Sequence, residues 1–447
     1  MPAMPEALES YLSGRWMRGD GIETRLVDPV SGDELATVSA KGLDLADALA
    51  FARRQGQGGL RQLSYAQRGK LVGAVADVLS SNRARYEEIA IANSGNTRTD
   101  AAIDIDGGIG TLKYYARIGA ALGEARMLLD EKPVRLAKAE NYQAVHLMVP
   151  RRGVAVHINA FNFPSWGLWE KAAVSLLAGV PVAAKPASAT ALLVHAMVKD
   201  VIAAKILPDG ALSLLCGNAG ELLNAVTSDD VIAFTGSADT AARVRGHPNV
   251  VAKSVPVNIE ADSINAALLA PGCAAGSAPF DAFVREVVRE MTVKAGQKCT
   301  AIRRIFAPAE QAGAVADALA AKLATTKVGD PRAADTRMGP VVTRSQQATV
   351  FDAIRKLESE PRPSAAAPSR PISPASTRTN PRSSRPPCSK STTRVARAPC
   401  TRWKRSARRP PSCLIGTSRT PARSSRGEGA RWSLPSLART KIFLLAW

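Results

Sequence analysis

Cys299 stands in Ala295-Gly296-Gln297-Lys298-Cys299-Thr300, between an apolar helical stretch and an apolar run that begins at Ile302. A thiol reacts as the thiolate, which requires partial exposure and nearby positive charge. Lys298, Arg303 and Arg304 are close enough in sequence to supply that charge. Most free cysteines are small buried core residues, and that reading is kept for Cys216 and Cys273. Asn162 is a second candidate: an amide beside a nucleophile's own backbone N–H makes an oxyanion site, worth about 3 kcal/mol per donor. An isolated Asn before a helix serves equally well as an N-cap. Glu260 ends the apolar strand Val257-Asn258-Ile259, where a carboxylate is costly without a partner or a task; the alternative is a solvated strand end. Thr235-Gly236-Ser237 sits between a strand and a helix, so its backbone N–H groups can meet a pyrophosphate at a helix N-terminus. No G-x-G-x-x-G accompanies it. Lys185 follows an apolar strand and, taken alone, reads as a surface lysine.

The elements that must position these residues follow from hydrophobic periodicity. After an extended N-terminal region (11–38), residues 43–55 and 66–92 show helical spacing, with Ser64 as a cap for the second. From Arg151 short apolar runs (154–158, 181–184, 212–215, 231–234) alternate with helical segments (166–178, 191–204, from 220, from 239). That order predicts βαβ units around a parallel sheet. A second α/β set follows, with strands at 264–269 and 302–306 and helices at 280–294 and 310–325. The histidines (His146, His157, His195, His247) show no ligand spacing and are read as structural, and no metal site is expected.

The six cysteines form no C-x-x-C pair or disulfide framework, the N-terminus lacks a basic-then-apolar leader, and the longest apolar stretch, 172–184, is interrupted by Ser175, Gly179 and Pro181. A cytoplasmic protein with no membrane partner is expected. A net charge of +20 would ordinarily suggest nucleic acid. However, residues 361–447 hold 19 of the 59 basic and one of the 39 acidic residues, leaving 40 and 38 in the body. The body is therefore electrostatically ordinary, and a nucleic-acid partner is not expected of it. Past Glu360 the chain turns to Pro, Ser, Arg and Thr, a composition that buries too little apolar surface to offset its ordering entropy and reads as disordered.

Taken together, Ile158-Asn159-Ala160-Phe161-Asn162-Phe163-Pro164-Ser165-Trp166, Ala184-Lys185-Pro186-Ala187, Leu207-Pro208-Asp209-Gly210, Phe234-Thr235-Gly236-Ser237, Val257-Asn258-Ile259-Glu260, the Cys299 segment and Met338-Gly339-Pro340 resemble, in order and spacing, the motifs of the aldehyde dehydrogenase superfamily. The resemblance spans about residues 8–360. It implies an α/β fold: a Rossmann-like dinucleotide-binding domain over 1–257, with oligomerisation strands near Met127 to Val149, and a truncated catalytic domain over 258–360. It also implies Cys299 as nucleophile, Asn162 as oxyanion residue and Glu260 as the base that activates water. Lys185 is assigned to the adenosine ribose and Thr235, Gly236 and Ser237 to the pyrophosphate. NAD-preferring relatives often carry Glu two residues after the K-P pair. Ser188 stands there instead, which favours NADP over NAD.

Within the superfamily, Ala92-Asn93-Ser94-Gly95-Asn96-Thr97-Arg98 and the Asn162 segment are similar to the branch that oxidises ring-opened acyl-CoA semialdehydes in aromatic-acid degradation, such as the 3,4-dehydroadipyl-CoA semialdehyde dehydrogenases and the phenylacetate ring-cleavage enzymes. The expected partner is an aldehyde, possible CoA linkage included, and the full-frame protein is expected to be a homodimer. One rival is a general semialdehyde dehydrogenase acting on free aldehydes. Another is an inactive remnant whose basic tail, with Trp403, Trp432 and Trp447, binds nucleic acid. The family's Glu-x-Phe-Gly-Pro segment is absent from the tail as written. Reading the tail from the third base of each codon, Trp403-Lys404 must give Glu, and the following codons permit Ala, Phe, Gly and Pro, so the tail (361–447) is expected to be out of frame.

Overall fold

The computed structural model describes residues 6–138, 142–359 and 440–443. The N-terminal stretch forms strands β1 (Glu6–Ala7), β2 (Ser10–Leu12), β3 (Arg15–Met17), β4 (Thr24–Val27) and β5 (Glu34–Val38). Helices α1 (Leu45–Phe51), α2 (Gln57–Arg61), α3 (Tyr65–Ser81), α4 (Arg83–Ser94) and α5 (Arg98–Leu122) follow. Ser64 caps α3 as expected: its Oγ accepts the Gln67 N–H at 3.1 Å while its own N–H donates to Gln67 Oε1 at 2.8 Å. The single helix predicted over 66–92 is two, broken at Asn82. An antiparallel hairpin, β6 (Leu128–Arg135) with β7 (Gln143–Met148), then leaves Leu129, Val145 and Leu147 exposed.

The predicted alternation next appears as β8 (Ala155–Ile158), α6 (Pro164–Leu177), β9 (Val182–Lys185), α7 (Ala191–Ala203), β10 (Leu212–Leu214), β11 (Val231–Gly236), α8 (Ala238–Arg245), α9 (Pro248–Ala252) and β12 (Val257–Ala261). The helix expected from Gly220 is only a 3₁₀ turn, Gly220–Asn224. These strands lie in a seven-stranded sheet of order β12-β11-β8-β9-β10-β2-β3, parallel from β12 to β10. The chain starts this parallel run in its middle, adds β9 and β10 on one side and β11 and β12 on the other. Strand order thus reverses beside β8, the place where open α/β sheets bind ligands at the carboxyl ends of their strands. The N-terminal strands β2 and β3 extend the sheet antiparallel, with Leu214 facing Tyr11.

Helices cover both faces. Leu79, Ile105, Trp169 and Val198 belong to one buried cluster, and Leu49, Val226, Ile232 and Val244 to the other. A smaller unit follows, with β13 (Asn265–Leu268), α10 (Ala278–Thr292), β14 (Ile302–Pro308), α11 (Ala312–Ala324) and α12 (Arg344–Ser359). Its core is Phe280, Val287, Met291, Ile305 and Leu319. The sheets part after Ala261, so all of β12 belongs to the larger one. β13 and β14 run parallel, and the outer edge of β14 is covered by an antiparallel strand β15 (Thr440–Phe443), with Ile305 facing Phe443. These four residues are the part of the tail that the structure describes. The rest of the tail lies outside the described residues.

Candidate active site

Four of the five candidate groups stand at carboxyl ends of parallel strands. Lys185 ends β9, Asn162 follows β8, Thr235 and Gly236 end β11 with Ser237 next, and Glu260 lies near the end of β12. The β11–β12 ladder sets Thr235 level with Glu260 and Gly236 level with Ala261. Ser237 is the N-cap of α8, its Oγ accepting the Thr240 N–H at 3.3 Å. Thr235 Oγ1 is buried without a hydrogen-bond partner. A Cβ at Gly236 would meet the tip of the Phe234 ring, so a larger residue there would have to displace that ring.

Lys185 is half-buried, and burial pushes its ammonium pKa down; Cys216 and Glu23 oppose that shift. Glu23 is invisible to a reading of local motifs because it comes from the residue before β4, far away in sequence. Its carboxylate accepts the N–H groups of Ala40 at 2.8 Å and Asn218 at 2.9 Å. Ser188 donates to Gly217 O at 3.3 Å.

Asn162 is not a helix cap. Helix α6 starts at Pro164 with Phe163 in the cap position and no side-chain cap bond from it. The free N–H groups of the first turn are taken instead by Asp104 of α5, which accepts from Trp166 at 2.8 Å and Ser165 at 3.3 Å. Asn162 is therefore left to line a small cavity with Ser94, Asn96, Phe161, Gln297 and Lys294.

The loop bearing Cys299 is held from several sides. Gln297 Oε1 accepts the Val342 N–H at 3.0 Å, and its Nε2 donates to Lys294 O at 3.1 Å. Asn265 Nδ2 donates to the carbonyls of Cys299 at 2.5 Å and Ala301 at 3.2 Å. Arg303 donates to Gly296 O, and Lys298 donates to both oxygens of Glu290, at 2.8 and 2.7 Å. Cys299 itself is exposed. Partial burial, and then the Glu260 carboxylate, raise its thiol pKa; the N–H groups of Thr300 and Cys299, and Lys298, pull it down. The local positive charge anticipated from the sequence is thus largely spent: Arg303 fixes backbone and Lys298 pairs with Glu290. Cys216, by contrast, is fully buried, and burial pushes its thiol up to about 12. His157 is buried too, its ring held down to about 3 by burial and Lys171. No cluster of metal-ligating side chains occurs among the described residues.

Sequence reasoning missed the group beneath this loop. Lys294 is 2% exposed, its Nζ 4.7 Å from the Phe163 ring centroid and without a hydrogen-bond partner. Asp104 and Asp100, both on α5 and both buried, interact with it electrostatically. Burial pushes both carboxyls up and the ammonium down, while the attraction among the three opposes each shift.

A doubly wound parallel sheet with a strand–turn–helix at Thr235, followed by a second, smaller sheet whose β14 the cysteine loop precedes, defines an α/β fold of the oxidoreductase kind. Residues 16–362 match the aldehyde dehydrogenase family, and the chain belongs to that family; it is an oxidoreductase acting on an aldehyde. It is 54% identical over 353 residues to the 3,4-dehydroadipyl-CoA semialdehyde dehydrogenase of Aromatoleum evansii, covering 79% of this chain and 68% of the relative. Among solved structures, its fold is similar to betaine aldehyde dehydrogenase of Staphylococcus aureus in complex with NAD+, with a TM-score of 0.69 and 21% identity over 79% of this chain and 70% of that one. It is also similar to the NAD+ complex of aldehyde dehydrogenase from Bacillus cereus, with a TM-score of 0.68 and 22% identity over 79% and 70% of the two chains. Among the described residues no helix is long and apolar enough to cross a membrane.

Proposed function

We propose that the chain oxidises an acyl-CoA semialdehyde to its carboxylic acid and prefers NADP to NAD. The observation that carries the chemistry is the exposed Cys299 thiol, whose ionisation partial burial and the Glu260 carboxylate oppose and the neighbouring backbone N–H groups and Lys298 favour. The thiolate attacks the aldehyde carbon, forming the S–C bond and moving the carbonyl pair onto oxygen, where the Asn162 amide and the Cys299 N–H hold the charge. As that pair re-forms the carbonyl, hydride leaves the carbon; a bound dinucleotide supplies its acceptor. Water then attacks the thioester while Glu260 takes its proton, the C–S bond breaks, and the thiolate is restored.

The residues present fit a dinucleotide. The turn at Thr235, Gly236 and Ser237 offers an unpartnered buried hydroxyl and the start of α8 to the pyrophosphate. Lys185 takes the ribose. With Ser188 in place of a carboxylate, and Glu23 engaged by two backbone N–H groups, Lys185 favours a 2′-phosphate. The exposed apolar side chains of the β6–β7 hairpin pair two copies as a homodimer.

The CoA-linked substrate rests on the 54% identical relative. Steady-state turnover of a CoA-linked semialdehyde against the free semialdehyde, with Cys299→Ala as control, tests the reading. The expected result is a clear preference for the CoA form and none of that activity in Cys299→Ala. Equal use of the free aldehyde favours the general semialdehyde enzyme, and turnover by Cys299→Ala overturns the nucleophile.

A further inference from the structure

The approach to Cys299 is a backbone conformation that the local sequence does not favour. Lys294, Ala295 and Gly296 all have positive φ, at 54°, 53° and 70°. For the two non-glycine residues such angles cost about 1–3 kcal/mol each and persist only where the surroundings over-determine them. The side chain inside this strained turn is Lys294, an ammonium sealed from solvent. It faces the ring of Phe163, the residue next to Asn162, and the carboxylates of Asp104 and Asp100. Asp104 grips the start of α6 through Ser165 and Trp166, just beyond Asn162. Asp100, four residues earlier on the same helix, is buried, which raises its carboxyl pKa, while the Lys294 charge draws it down. One buried charge therefore touches both segments that carry the chemistry, and all of its counter-charge comes from α5.

We propose that Lys294 is a positioning residue: its buried ammonium, set among Asp100, Asp104 and the Phe163 ring, locks the Cys299 loop to the Asn162 segment so that thiol and amide keep one mutual geometry. A neutral side chain of similar length would leave two carboxylates buried beside an unanchored strained turn. The turn would relax, and the Cys299 backbone that follows it would move with it. The proposal rests on the reading of Cys299 and Asn162 given above.

The test uses the 447-residue chain, with iodoacetamide as a probe of the loop that needs no turnover. The rate of Cys299 carbamidomethylation is followed by peptide mass spectrometry in the parent, in Lys294→Met, and in the charge-balanced pair Lys294→Met with Asp104→Asn. Lys294→Met is expected to alkylate about tenfold more slowly, as the thiol leaves the backbone setting that favours its thiolate. The pair is expected to recover folding but not the alkylation rate. In any preparation that turns over, kcat should fall about 100-fold with the dinucleotide KM little changed. Parental alkylation in a folded Lys294→Met overturns the proposal. If neither variant folds, Lys294 serves folding as a whole and the proposal is likewise overturned. Absence of aldehyde turnover in the parent would count against the proposed function and leave the alkylation comparison standing as the test of Lys294.

Discussion

The two sheets solve the same problem with very different resources. The larger one has helices on both faces and draws its core from nearly every element between Leu8 and Val255. The smaller one rests on β13, β14, α10 and α11 with a short list of buried side chains, and its outer edge is closed by a four-residue strand from far along the chain. The Thr235 turn therefore sits on a platform that can lose a contact and keep its shape, whereas the Cys299 loop depends on a thin layer and on individual polar ties such as Asn265, Gln297 and Arg303. Damage of equal chemical size should cost more on the second side.

The largest test of that contrast is the tail. A version whose tail is re-read in the alternative frame from about residue 360 is expected to be a soluble enzyme at least about 100-fold more active than the 447-residue chain. The smaller sheet would gain longer closing strands and the site would gain the family's Glu for the nicotinamide ribose. Soluble yield and aldehyde-dependent NADPH formation measure it. Equal yield and rate in the two forms would mean that β15 is closure enough.

Next in size, Asn162→Ala should lower kcat by about 10²–10³, or about 2.7–4 kcal/mol, with a smaller change in KM, because the amide acts on charge that develops during reaction. An unchanged kcat would remove Asn162 from the site. Glu260→Gln should slow turnover by about 100-fold yet keep a pre-steady-state burst of NADPH, since thioester formation does not need the base. It should also shift the pH profile of Cys299 alkylation. The Glu260 carboxylate raises the thiol's pKa, so neutralising it lets the thiolate form at lower pH, and the curve moves to the acid side. A curve that stays put would show that the two groups do not sense each other. The smallest effect belongs to the robust platform: Ser188→Glu should reduce kcat/KM for NADP about tenfold and spare NAD, by like-charge repulsion at the ribose. A parental preference for NAD would show that the ribose pocket was misread.

The larger sheet was legible because its strands are short apolar runs separated by helices of ordinary pattern, and the turn at Thr235 follows from the same rhythm. Helix α5 was not. Its apolar residues Ala101, Ile105 and Leu112 are interrupted by Asp100, Asp104, Gly107 and Gly108, which spoil both propensity and periodicity. Each interruption has a tertiary cause. Gly107 leaves room for the Trp166 ring and Gly108 for Ser165, while Asp104 and Asp100 face Lys294. The fate of Lys298 and Arg303 was hidden for a related reason: proximity in sequence shows which charges are near Cys299, not which are already engaged. Glu23 and the strands β2 and β3 reach their places only through long-range pairing, which local pattern does not encode.

That pairing has a consequence for how the protein is made. Tyr11 of β2 faces Leu214 of β10, and Ser10 Oγ accepts the N–H of Cys216. At translation speeds of about 5–20 residues per second, the ribosome finishes β2 roughly 10–40 s before its partner strand emerges. A segment made early must wait, unpaired, for a partner made much later. A bulky N-terminal fusion that folds at once would tether this segment during its wait, whereas a short flexible tag would leave it free to dock.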